Sequence, residues 1–116
     1  IPYKTYSAAA VQQARAEGAP VFLNFTADWC ITCKVNEARA LNKPRVIEAL
    51  SAHGVVPFKG DWTNKDADIA QTLSEFGRLG VPLYVLYPQE AGAEPVILPQ
   101  VLSEKTVLAV LNDQAK

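Results

Sequence analysis

Val21-Phe22-Leu23-Asn24-Phe25-Thr26-Ala27-Asp28-Trp29-Cys30-Ile31-Thr32-Cys33-Lys34 is the stretch on which the fold turns. Its first six residues are rich in β-branched and aromatic side chains, the pattern of a buried central strand, with Asn24 as the one polar interruption on its inner face. From Cys30 to about Asn42 the pattern becomes helical, because Cys33, Glu37 and Ala40/Leu41 recur at the i, i+4, i+7/i+8 spacing that shares one face. A Cys-x-x-Cys that follows a strand and opens a helix is a more specific signal than the spacing alone.

That placement predicts the chemistry. At the start of a helix, unpaired backbone N–H groups and the positive end of the dipole favour a thiolate, so Cys30 is expected to be the attacking thiol. Cys33, one turn further in, lies close enough to bond its sulfur and is expected to be the more buried, resolving thiol. Other uses of the pair are weaker. A structural zinc site needs about four ligands, and beyond the two cysteines the chain offers one histidine, His53. Haem attachment requires His after the second Cys, where Lys34 stands. A module binding Cu(I) through the two thiolates remains a rival of another class, disfavoured by the absence of Met. A redox-inert adaptor is a third. A purely structural disulfide would close too small a ring to constrain the unfolded chain much.

Outward from this stretch, Pro2 to Tyr6 reads as a short edge strand and Ser7 as the cap of a helix running to about Glu17, stopped by Gly18. Pro44 fits the first turn of a short helix ending near Leu50. Val55 to Asp61 reads as a strand. Asn64 is expected to cap a helix whose Ile69, Leu73 and Phe76 form a core stripe, ended by Gly77 and Gly80. Val81 to Tyr87 is expected to be a strand with Pro82 near its start, and Pro95 to Pro99 an edge strand. Ser103 caps a closing helix with Val107, Leu108 and Leu111 facing inward. The order β-α-β-α-(α)-β-α-β-β-α predicts an α/β fold with a mixed sheet covered by helices on both faces.

The 116 residues allow one domain, 1–116, and the 49% apolar, 20% charged composition is that of a chain able to bury a core. A formal charge of −1 lacks the basic excess needed to neutralise phosphates, so no nucleic-acid partner is expected. The longest run free of strongly polar groups, Val81 to Pro88, falls far short of the roughly 20 residues of a membrane span. With no Met and an Ile1-Pro2 start, the chain is expected to be a domain excised from a larger protein, or a processed product.

The segment from Phe25 to Lys34 resembles the strand–WCxxCK–helix segment of the thioredoxin family, and Gly80-Val81-Pro82 resembles its cis-proline loop. The run Ala27-Asp28-Trp29-Cys30, followed by Cys33-Lys34, Glu37 and Pro44, resembles more narrowly the C-terminal periplasmic domain of the DsbD/ScsB transmembrane reductase family. The resemblance implies a thioredoxin fold with a sheet of about five strands. It implies a protein-disulfide reductase that takes electrons from a membrane-embedded domain of the same protein and passes them to a periplasmic domain or protein disulfide. No cofactor beyond the redox-active Cys30–Cys33 pair and no metal is expected, and the domain is expected to be a periplasmic monomer. A free-standing periplasmic reductant, such as one serving cytochrome c maturation, is the alternative within the same chemistry.

By position, the resemblance gives Val81 and Pro82, with Ile31 and Thr32, a place in partner docking through a cis peptide beside the disulfide; Pro82 as a trans strand starter is the other reading. Trp29 matches the tryptophan that shields the family's site, and reads equally as a partly buried aromatic. Asn24 departs from the pattern, since family members often carry a buried Asp six residues before the first Cys. An amide cannot titrate, although it can hydrogen-bond or hold a water near Cys33. Glu37 is then the candidate for tuning the thiol, with an exposed Glu paired to Lys34 or Lys43 as the alternative. Lys59, near the family's usual lysine beside the buried acid, reads as a snorkelling surface residue. Four basic residues between Lys34 and Arg45 against Glu37 predict a mildly positive active-site side.

Overall fold

A computed structural model describes residues 1–90 and 92–114. Five strands form one sheet: β1 (Lys4–Thr5), β2 (Val21–Thr26), β3 (Val56–Asp61), β4 (Leu83–Tyr87) and β5 (Val96–Ile97), ordered β1-β3-β2-β4-β5. The β1–β3 and β2–β3 pairs are parallel, while β2–β4 and β4–β5 are antiparallel. The helices are α1 (Ala8–Ala16), α2 (Ile31–Asn36), α3 (Pro44–Ala52), α4 (Ala67–Glu75) and α5 (Glu104–Gln114). The mixed five-strand sheet between two helical layers is the thioredoxin fold. No described helix is long and apolar enough to cross a membrane.

β2 sits at the centre, which explains its continuous apolar run: both faces are covered. Phe22 joins Tyr84, Leu86, Leu41, Val46, Val107 and Leu111 under α3, α5 and the end of the α2 segment. Val21, Leu23 and Phe25 point the other way, to Val11, Phe58, Ile69 and Leu73 under α1 and α4. Asn24, at the same alternation as Phe22, therefore belongs to the face that carries the α2 segment.

The helix starts follow their chemistry. Ser7 Oγ accepts from Ala10 N–H and Ser103 Oγ from Thr106 N–H, while Pro44 stands at the first position of α3. At α4 the cap is Asp66 rather than Asn64, its carboxylate accepting from the N–H groups of Asp68 and Ile69. Trp62 to Lys65 form a turn first, with Lys65 at φ 52°, so the helix begins two residues later than the side-chain type suggested. Ile69 and Leu73 are buried as expected, and Phe76, past the last helical residue, is half-buried.

Other elements also differ from expectation. The two edge strands shrink to two residues each, Lys4–Thr5 and Val96–Ile97. β4 begins at Leu83, after the cis Val81-Pro82 bond, because Pro82 has no N–H to give a ladder. The helix after Cys30 is not α-helical throughout: Glu37–Leu41 form a π-helical turn, closed by Asn42 N–H to Glu37 C=O at 2.8 Å.

Candidate active site

Cys30 and Cys33 are joined in a disulfide, with Cα atoms 5.3 Å apart. Cys30 is the N-cap of α2, and its Sγ accepts from Cys33 N–H at 3.1 Å. The helix therefore aims a backbone donor at this sulfur, which favours negative charge on it once the bond is opened. Cys30 keeps 7% of its surface in contact with solvent and Cys33 only 1%. Ala27 and the half-buried Val81 pack against the pair, so the cis Val81-Pro82 peptide lies beside the disulfide.

The loop before Cys30 is clamped by the one after β3. Thr63 Oγ1 accepts from Asp28 N–H at 2.9 Å, and Thr63 C=O accepts from Trp29 Nε1 at 3.0 Å. Thr63 in turn donates to Asp61 through both its N–H and its hydroxyl, and these bonds, the hydroxyl's first, hold the Asp61 carboxyl below its usual pKa. The Trp29 ring meets Trp62 at 6.0 Å, and Lys65 Nζ stands 5.7 and 5.9 Å from the two rings. Trp29 is nevertheless half open, as are the flanks: Trp29 is 50% and Ile31 78% exposed, and Thr32 is exposed too. Across the cis peptide, Arg78 Nη1 reaches Pro82 C=O at 3.5 Å.

Beneath the helix lies a polar group. Asn24, 1% exposed, donates from Nδ2 to Tyr3 Oη at 3.1 Å and to Glu37 Oε1 at 3.3 Å. Lys59 Nζ lies 3.4 Å from the same Glu37 oxygen and 5.0 Å from the centre of the Tyr3 ring. Glu37 is thus paired with neither Lys34 nor Lys43. Lys59 keeps 37% of its side chain exposed, as a surface residue would, but its ammonium goes to the carboxylate that Asn24 also contacts, and β3 sets it in register beside Asn24. A cleft of 190 Å³, lined by Thr26, Asp28, Lys34, Glu37, Lys59 and Asp61, opens this group to solvent. Burial, ahead of the Glu37 charge, pushes the Tyr3 phenol well above its ordinary pKa.

Two residues of this environment, Tyr3 and Asn36, lie outside the Cys-x-x-Cys motif and its flanks. Tyr3 lies on the first segment, far from the cysteines in sequence. Asn36 is 1% exposed and joins three parts of the chain: Nδ2 donates to Tyr84 Oη at 2.9 Å and Gln100 C=O at 2.7 Å, while Oδ1 accepts from Leu102 N–H at 2.9 Å. Its position three residues after Cys33, on the buried side of the helix, is the signal that could have found it. Among the described residues no group of three or more His, Cys, Asp or Glu side chains is placed to hold a metal.

A family model described as thioredoxin-like matches residues 2–89. The chain belongs to the thioredoxin-like family. Among thioredoxin-like relatives, the thiol:disulfide interchange protein DsbD of Ralstonia nicotianae is 35% identical over 103 residues, 89% of this chain and 17% of that protein. DsbD of Pseudomonas fluorescens is 38% identical over 73 residues, 63% of this chain and 12% of that protein. The chain therefore spans a small part of the length of these relatives. The oxidised C-terminal domain of Neisseria meningitidis DsbD superposes with a TM-score of 0.71 at 26% identity, covering 95% of this chain and 97% of that domain. A thioredoxin from Thermus thermophilus, at TM-score 0.74 and 23% identity over 97% of this chain and 86% of its own, shares the fold. Within the thioredoxin-like family the likeness is thus to the DsbD C-terminal domain.

Proposed function

We propose that the chain is a protein-disulfide reductase that passes two electrons at a time through Cys30 and Cys33. The observation that carries this reading is the disulfide at the strand-to-helix junction, with the outer sulfur capped by a backbone N–H and the inner one enclosed. In the dithiol form, the Cys30 thiolate attacks one sulfur of a partner disulfide, forming a mixed disulfide and expelling the first partner thiolate, which takes up a proton. The Cys33 thiolate then attacks Cys30 Sγ. The mixed disulfide breaks, the Cys30–Cys33 bond forms, and the second partner thiol leaves reduced. Trp29, Ile31, Thr32 and Val81 border the outer sulfur and form the face that receives the partner, with Val81 beside cis-Pro82 offering its backbone to an extended segment. Glu37 tunes the thiols from below.

The likeness to the DsbD C-terminal domain supports a periplasmic setting, a membrane-embedded domain of the same reductase as donor, and a periplasmic domain or protein disulfide as acceptor. The pair itself is the redox group, and no further cofactor is invoked. The test is turnover of a protein disulfide with dithiothreitol as donor: the parent chain is expected to catalyse it, Cys30→Ser to abolish it, and Cys33→Ser to accumulate a mixed disulfide. Full activity of Cys30→Ser, or no turnover by the parent, would remove the assignment.

A further inference from the structure

The hydrogen bonding between β2 and β3 continues past the ends of the strands. Trp62 N–H donates to Thr26 C=O at 2.7 Å, and one residue further on a side chain takes over, where Asp28 N–H donates to Thr63 Oγ1 at 2.9 Å. The direction of these bonds is forced. An ionised carboxylate can only accept, so Asp61 Oδ1 takes both the N–H and the hydroxyl hydrogen of Thr63, and the lone pairs of that hydroxyl are what remain for the Asp28 amide. Thr63 C=O accepts from Trp29 Nε1 at 3.0 Å. Every polar group of Thr63 is thus engaged in tying residues 28 and 29 to the end of β3. Within that tie, Cys30 N–H turns back to Ala27 C=O at 3.1 Å.

The tie matters most in one redox state. In the disulfide, the covalent bond to Cys33 holds the Cys30 sulfur in place. Once two electrons and two protons from a donor dithiol have opened that bond, nothing covalent keeps Cys30 Sγ over Cys33 N–H, the backbone donor at 3.1 Å that favours a thiolate there. We propose that Thr63 is a positioning residue for the nucleophile, holding Cys30 at the helix start in the dithiol through Asp28 and Trp29, so that its sulfur stays on that donor and ionises. This rests on the reading of Cys30 as the attacking thiol. A clamp with a structural role alone would support both redox forms equally; this one acts on the thiolate of the dithiol form.

The test is the rate at which iodoacetamide alkylates Cys30 of the reduced chain, located by mass spectrometry, over a series of pH values. Thr63→Val keeps the branched shape and removes the hydroxyl. It leaves the charges around the loop in place: Asp28, Lys34, Glu37, Lys59 and Asp61 along the cleft, and Lys65 over Trp29. Below the thiol pKa, Thr63→Val is expected to react about fivefold more slowly than the parent, the size of one net hydrogen bond lost from the thiolate form. The difference is expected to close at alkaline pH, where Cys30 is ionised in either chain. Thr63→Ser, which retains the hydroxyl, is expected to keep the parent's rate. A parent-like rate in Thr63→Val, a Thr63→Ser as slow as Thr63→Val, or a slowing that persists undiminished at alkaline pH overturns the proposal. If Thr63→Val does not fold, hydrogen exchange at Asp28 N–H of the parent reads the tie directly: protection that survives reduction is expected, and its loss in the dithiol overturns the proposal. Iodoacetamide is small and requires no docking, so alkylation is readable whether or not the chain turns over protein substrates, and a failure here is separable from a failure of the proposed function.

Discussion

Glu37 and Lys59 meet 3.4 Å apart at the floor of the cleft, with Asn24 on the same carboxylate. A carboxylate there opposes a second negative charge on the thiols above it. Glu37→Gln is therefore expected to lower the apparent pKa of the reactive cysteine, read as the pH dependence of its alkylation rate; an unchanged titration would remove Glu37 from the tuning. Asn36 acts differently, by joining α2 to β4 and to the loop at residues 100–102. Asn36→Ala would leave the buried Tyr84 hydroxyl and Leu102 N–H unpaired, with the part-buried Gln100 C=O, and is expected to cost about 3 kcal/mol in urea unfolding. Helical spacing placed Cys33 and Glu37 on one face, because that relation is local. It could not say what Glu37 meets, because Lys59 arrives from β3 and Tyr3 from the segment before β1. Asn36 was within reach of the same spacing but had no apolar character to mark it.

Elements were legible where one interaction dominates and less so where two compete. β2 has the bounds its apolar run predicts, since a central strand has nothing but core on either side. The edge strands are shorter than their alternation suggests, because each has only one neighbour to pair with. The π-helical turn at Glu37–Leu41 leaves no mark in a 3.6-residue pattern: Ala40 and Leu41 are buried as adjacent residues on either reading. The β2–β3 pair hides a further constraint. At Gly60 a Cβ would stand 2.5 Å from the ring of Phe25, itself fully buried and met edge-on by Tyr6 at 4.9 Å. The ring has nowhere to go, so Gly60→Ala is expected to destabilise the protein by about 1–3 kcal/mol, measured by its denaturation midpoint.

For the molecule as a whole, the sequence order of strands and helices sufficed for a mixed sheet with two helical layers, and the motif resemblance supplied the thioredoxin topology. Strand order β1-β3-β2-β4-β5 is not contained in the hydrophobic pattern, which is the same for any order of buried strands. The sheet also sets an alkaline limit. Burial raises the Tyr84 phenol to about 12, with the Asn36 hydrogen bond opposing and Glu37 adding to the rise. A folded pKa above the unfolded value of about 10 means that the folded state holds this proton more tightly, so the stability is complete below pH 10. It is expected to fall as pH rises from about 10 to about 12, followed by chemical unfolding at stepped pH; a Tyr84→Phe variant should lose less over that interval.

The pairing of Trp29 with Trp62, beside the sulfur that opens and closes, has an optical consequence. These are the two tryptophans of the chain, so all of its indole emission originates at one corner, next to Cys30. A disulfide quenches neighbouring excited indoles more strongly than a dithiol does. Emission is therefore expected to rise on reduction and to fall back on oxidation, giving each electron transfer an unlabelled signal; emission that stays constant through a full redox cycle would contradict this. The protein carries its own indicator.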